Sequence, residues 1–267
     1  MSTLDDKYVE VLVAPIRRSR GYRPAFGQGD AEDGLSVTQF QTLYGGDPLY
    51  SWVGLDSELV YAAHRAAGGI TSVYRQLGIG CERLFRTIVQ DQLGLNSTQS
   101  NWSYKVVGTG GNSQTLRLDA RIETDHLTDE DSRARVEDWL ARTWSNLGGQ
   151  DDARPSKGAV FEVRQGYKSA DSKRQNADLR NAVQAYAQGY LPVIAVFSQQ
   201  VSQTVAKRYR ANMMPVLVGQ LDGDDLTSTF QFVSEVLSYD IVSFFERNAV
   251  RIRNEVVEIL ETLLSAE

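Results

Sequence analysis

The chain has 267 residues, 42% of them hydrophobic, enough to bury a sizeable core, and no apolar run approaches the roughly 20 residues of a bilayer-spanning helix. A single cysteine, Cys81, and two histidines, His64 and His126, exclude a disulfide framework and a cysteine-based zinc site, so any metal is expected to be hard and oxygen-bound. The net charge of −6 counts mildly against nucleic acid as a partner, but cations cluster at residues 17–23 and 168–180 while acids gather at 125–138 and near the C-terminus.

Residues 7–13 alternate enough to predict a strand, and residues 15–33, rich in Gly, Arg and Asp, a loop or arm. Short helices are predicted over 36–43 and 56–67, with Gly68 and Gly69 breaking the pattern. Between 79 and 93, Cys81, Leu84, Phe85, Ile88 and Val89 recur at helical spacing, and Gly94 supplies a stop. Residues 102–107 and 114–123 predict strands around a GTGGNS turn, which lacks the lysine of a phosphate-binding loop. Thr128 followed by Asp131 resembles a capping box and opens a helix to about residue 147.

Beyond the strand that holds Glu162, the pattern predicts a helix over 171–188, a strand over 190–197, a helix over 201–210, a strand over 214–218 and a helix over 226–236. A last helix is predicted from 244 to 264. Strands separated by helices imply parallel crossovers, hence an α/β fold with a mixed central sheet and helices on both faces. The expected organisation is one domain, with an N-terminal arm and helical part over 1–78, a catalytic core over 79–247 and a C-terminal helix over 248–267. The opening MSTLDDKYVEV lacks the charged start and apolar centre of a signal peptide, so a cytoplasmic protein without membrane attachment is expected.

The stretch AVFEVRQGYKSADSKRQNADLR, residues 159–180, carries the most chemistry. Side chains alternate faces along a strand, so Phe161 and Val163 point into a core while Glu162 and Arg164 share the other face. A carboxylate there suits Mg²⁺, and a neighbouring cation suits a phosphate. In TLRLDARIE, Leu116 and Leu118 face one way and Arg117 and Asp119 the other, so Asp119 and Glu162 on adjacent strands would converge on one ion. Glu123 and Asp125 take the place of Asp119 if the register differs. The plainer roles are ion pairs: Asp119 with Arg117 or Arg121, Glu162 with Arg164, and Glu82 with Arg86 one helical turn away.

These segments resemble the catalytic region of type II restriction endonucleases of the PD-(D/E)xK superfamily, and EVRQGYKSADSKRQNAD is most similar to the ApaLI-like group. The superfamily resemblance covers residues 79–247. It implies a restriction-endonuclease-like fold, a Mg²⁺ cofactor, Asp119 and Glu162 as metal ligands, and Glu82, in GIGCERLFRTIV, as a glutamate contributed by an early helix. The position usually held by lysine is Arg164, a departure that leaves either Arg164 or Lys168 as the catalytic cation. The implied activity, in a restriction-modification system, is sequence-specific cleavage of double-stranded DNA to 5′-phosphate and 3′-hydroxyl ends by a homodimer.

Candidate DNA contacts are Lys173, Asn176, Arg180 and Gln184, which share a helix face opposite Ala177, Val183 and Tyr186. Asn101 and Lys105 in NSTQSNWSYK, and Arg20 and Arg23 in RRSRGYR, complete the set. Two rival readings stand beside this one: a repair or recombination nuclease on the same fold, and a DNA-binding or assembly protein that has lost catalysis.

Overall fold

The computed structural model describes residues 3–27, 34–107, 113–167 and 172–265. Helices α1 (Thr3–Arg17), α2 (Val37–Gly45), α3 (Pro48–Trp52), α4 (Glu58–Leu93) and a short α5 (Ser97–Ser100) come first. Strands β1 (Trp102–Val107), β2 (Ser113–Leu118) and β3 (Ala120–Glu123) follow, then α6 (Glu130–Asn146), β4 (Gly158–Arg164), α7 (Ser172–Ala187), β5 (Tyr190–Val196) and α8 (Gln203–Arg210). The chain continues through β6 (Val216–Leu217), α9 (Thr229–Gln231), a π-helical turn at Phe232–Val236, and α10 (Ile241–Leu264). The fold is mixed α/β, and it divides into two compact units, residues 1–80 with 247–267, and residues 81–246.

The first unit, among its described residues, is helical. Residues 7–13 form part of α1, not the expected strand, because Tyr8, Val9, Leu12, Val13 and Ile16 make one buried stripe at helical spacing. Asp5 and Asp6 in the first turn favour that helix through its dipole. Gly68 and Gly69 do not break α4, which runs straight through them. A Cβ on Gly68 would strike the Tyr22 phenol and one on Gly69 the Leu263 side chain, so close packing offsets the roughly 1 kcal/mol that glycine costs inside a helix.

The second unit holds a four-stranded sheet ordered β3-β4-β5-β6, with β3 antiparallel to β4 and the other pairs parallel. β1 and β2 form a separate antiparallel ribbon. On one face of the sheet, Phe161 packs among Phe85 of α4, Trp139 of α6 and Phe232. On the other, Ile194 and Val196 pack with Ala182 of α7 and with Val205 and Tyr209 of α8. Glu162 and Arg164 stand in register with Ile194 and Val196, on this second face.

Three local departures from the sequence pattern have identifiable causes. The predicted strand over 114–123 is interrupted by a bend at Asp119, where the chain leaves the ribbon and enters the main sheet. The α6 N-cap is Asp129, whose side chain accepts from the Ser132 amide at 2.8 Å, and not Thr128. The helix expected over 226–236 is reduced to α9 and the π turn, with Ser228 capping its start through the Phe230 and Gln231 amides.

Candidate active site

The bend at Asp119 is what assembles the site. Its amide donates to the Phe161 carbonyl at 2.9 Å, and its carboxylate Oδ2 accepts from the Val163 amide at 2.8 Å. A side chain therefore takes a place that backbone would occupy in a continuing strand, and it locks the Asp119 carboxylate beside the Glu162 segment of β4. Arg86 of α4 donates through Nε to the Asp119 carbonyl, securing the bend from the helix side.

Glu162 Oε1 lies 2.6 Å from Arg164 Nη2, the same nitrogen that donates to Asp178 Oδ1 at 3.0 Å. Asp178, on α7, is 3% exposed, and its Oδ2 accepts from the Tyr209 hydroxyl at 2.5 Å and the Tyr167 hydroxyl at 3.1 Å. The two hydroxyls are themselves 2.8 Å apart. Arg164 is thus stretched between Glu162 on its own strand and a buried tyrosine-supported aspartate, while its Nε is buried without a partner among the described residues. A guanidinium fixed this way presents charge in one place with little further reorganisation.

Burial first, and the crowding of acids after it, raise the proton affinities here. Burial pushes Glu162 well above the usual carboxylate range, against the attraction of Arg164 and with further upward pressure from Asp119, Asp178 and Glu82. Burial likewise raises Asp119, opposed by the Val163 amide, Arg164 and Arg86. Glu82 is pushed up to about 7, first by burial and then by the Asp119 charge, with Arg164, Arg86 and Arg83 pulling it down. For Arg164, burial works against the charge, but Glu162, Asp178 and Asp119 hold the guanidinium still further above its ordinary value.

Such a cluster of desolvated, mutually repelling carboxylates is stabilised either by protons or by an added cation. Among the described residues no three His, Cys, Asp or Glu side chains come together closely enough to hold a metal by themselves. Mg²⁺ does not require that, since it is usually held by one or two carboxylates with water and substrate phosphate completing an octahedron. Asp119 and Glu162 supply an all-oxygen pair of that kind, so the residues present fit the ion.

The sequence candidates separate clearly. Glu82, Asp119, Glu162 and Arg164 are brought into one electrostatic cluster. Glu123 belongs elsewhere, accepting from the Tyr190 hydroxyl at 2.8 Å and pairing with Arg121 at 3.2 Å, while Asp125 is exposed. Strand β4 ends at Arg164, with a bend at Gln165, and Lys168 lies outside the described residues. Glu82 has no ion pair with Arg86 among the described residues, because the Arg86 Nε is turned to the Asp119 carbonyl.

Lys173, Asn176, Arg180 and Gln184 do share the exposed face of α7, and Asn176 accepts from Arg208 at 2.7 Å. The opposite face is not the one expected: Gln175, Asp178, Ala182 and Ala185 are buried, whereas Val183 is 64% exposed. The inward position of an aspartate and a glutamine on this stripe is what made the hydrophobic pattern misleading. Asn101 and Lys105 are exposed, the former just before β1 and the latter within it. Arg20 belongs to the first unit and pairs with Glu258 at 2.5 Å, and Arg23 is exposed there. Asp178, Tyr167 and Tyr209 were missed, although the spacing of Gln175, Asp178, Ala182 and Ala185 along α7 was a readable signal for one inward stripe.

No protein-family model matches the chain, and neither a curated protein nor a solved structure does.

Proposed function

We propose that this chain is a Mg²⁺-dependent endonuclease that cuts double-stranded DNA at a specific sequence, in the manner of a type II restriction enzyme. The observation that carries the reading is the convergence of Asp119, from the bend between β2 and β3, with Glu162 of β4 around a fixed guanidinium, in a cluster whose negative charge is under-compensated. Asp119 and Glu162 would hold the metal, with Glu82 as a further acid of the cluster. When bound, Mg²⁺ lowers the barrier by offsetting charge on the phosphate and acidifying water.

Arg164 cannot serve as a base, since a guanidinium keeps its proton, so its role is to hold the scissile phosphate. Asp178, Tyr167 and Tyr209 keep it aimed. Lys168 is the alternative cation, and paired substitutions separate the two. The reaction yields 5′-phosphate and 3′-hydroxyl ends, and a homodimer would read a palindrome, one half-site per subunit. No helix is long and apolar enough to cross a membrane among the described residues, and a cytoplasmic site of action goes with this reading.

The test is to incubate supercoiled plasmid of known sequence with the protein in Mg²⁺ and in EDTA, and to map the ends. Metal-dependent cleavage into discrete bands is the expected result. A smear, or cutting confined to branched or damaged DNA, would move the assignment to a repair nuclease. Absence of metal-dependent cleavage, with DNA still bound, would leave a non-catalytic DNA-binding protein.

A further inference from the structure

The β1–β2 ribbon ends one residue before Asp119, and its two faces differ. The inward face carries Trp102, Tyr104, Leu116 and Leu118, packed with Val160, Ala185 and Tyr190. The outward face carries Ser103 and Lys105 opposite Arg117 and Thr115, all four exposed, with no acidic side chain among them. In a chain whose net charge is −6, a strand pair with two cations and two hydroxyls on one face departs from the average surface.

At the foot of this face lies a cavity of about 570 Å³ whose lining includes Arg86, Asn101, Trp102, Ser103, Arg117 and Asp119. Asp119, the residue assigned to the metal, is therefore part of the cavity wall. Trp102 adds a second observation: its indole N–H is buried and has no partner among the described residues, leaving a donor unmatched in the lining residue itself.

Resting on the nuclease reading above, we propose that the outward face of the ribbon is the seat for duplex DNA beside the cut, with Arg117 and Lys105 as phosphate contacts and the cavity at Asp119 receiving the backbone next to the scissile bond. Charge complementarity identifies the occupant, since a polyanion is what a face carrying two exposed cations and no acid of its own attracts. Size agrees, because the major groove admits a two-stranded ribbon. Arg117 and Thr115 stand two and four residues from Asp119, which at ~3.4 Å per strand residue places them ~7 and ~14 Å along the strand. With base pairs also spaced by about 3.4 Å, the described part of the face covers roughly four base pairs from the cut.

The experiment measures binding of a duplex oligonucleotide carrying the mapped cleavage site by fluorescence anisotropy in Ca²⁺ over a range of salt, for wild type and for Arg117→Ala, Lys105→Ala and Arg117→Lys. Arg210→Ala, which removes an exposed cation of α8, is the control. Each alanine variant of the ribbon should weaken binding about tenfold at low salt and reduce the log–log salt slope by about one. Arg117→Lys should keep the slope. Ribbon variants with wild-type affinity and slope would overturn the seat while leaving the nuclease reading intact. A wild-type protein that neither binds nor cuts DNA would overturn the nuclease reading itself.

Discussion

Two charge networks in this molecule are built on opposite principles. In the first unit every carboxylate in the network meets cations or amides: Asp5 holds Arg247 Nε at 3.1 Å and Asn248 at 3.1 Å, and Arg17 bridges Glu10 and Glu255 at 2.8 Å each. Glu255 accordingly lies below its usual range, through its hydrogen bond to Arg17. In the second unit Glu82, Asp119 and Glu162 share Arg164, with Arg86 acting on the first two and Arg83 on Glu82, and burial still raises all three. A network that only stabilises the fold satisfies its own charges, whereas one that keeps a deficit of positive charge is complementary to something it does not contain.

Substitutions that break this contrast should rank by which network they touch. Glu162→Gln removes a proposed metal ligand and should reduce single-turnover cleavage at least about 1000-fold, the loss of several kcal/mol of charge stabilisation, while DNA binding in Ca²⁺ persists. Addition of Mg²⁺ should also raise the melting temperature of wild type and not of this variant. Near-normal cleavage by Glu162→Gln would remove the metal site from the scheme.

Arg164→Ala leaves Glu162 and Asp178 without their shared cation and should cost about 3 kcal/mol in urea unfolding together with most of the cleavage rate. Arg164→Lys should be partly active, and Lys168→Ala mild. A dead Lys168→Ala beside an active Arg164→Ala would transfer the phosphate contact to Lys168. In the balanced network, Asp5→Ala strips partners from Arg247 and from the buried Asn248, and should destabilise by about 2 kcal/mol with no direct effect on Mg²⁺ binding. A loss of metal response in that variant would erase the distinction between the two networks.

Glu82→Gln should act with the opposite sign on stability. A carboxyl whose folded value is about 7 and ordinary value 4.5 costs the metal-free fold nothing below pH 4.5. The cost sets in as pH rises from 4.5 to 7 and is complete above 7. After discounting by about half for its solvent-exposed part, the variant should gain roughly 1–2 kcal/mol at pH 8 and almost nothing at pH 4. Thermal melts of both proteins at the two pH values check this, and equal stability at pH 8 would show that Glu82 is not under that strain. Mg²⁺ should stabilise wild type more at pH 8 than at pH 6, because the acids of the cluster must be ionised to attract it.

What the sequence determined by itself was the order of β4, α7, β5, α8 and β6, because apolar runs separated by polar helices leave few other solutions. The shared face of Glu162 and Arg164 was legible for the same reason, as alternation on a strand is a covalent property of the chain. Tertiary structure alone decided the rest. The 7–13 segment carries both a two-residue alternation and a helical stripe, and burial of Tyr8, Val9, Leu12, Val13 and Ile16 selected the helix. Gly68 and Gly69 read as a break until Tyr22 and Leu263 were seen to need the space. The bend that turns Asp119 onto the Val163 amide, and the placing of Asp178 under Arg164, depend on contacts between residues far apart in the chain, about which local periodicity carries no information.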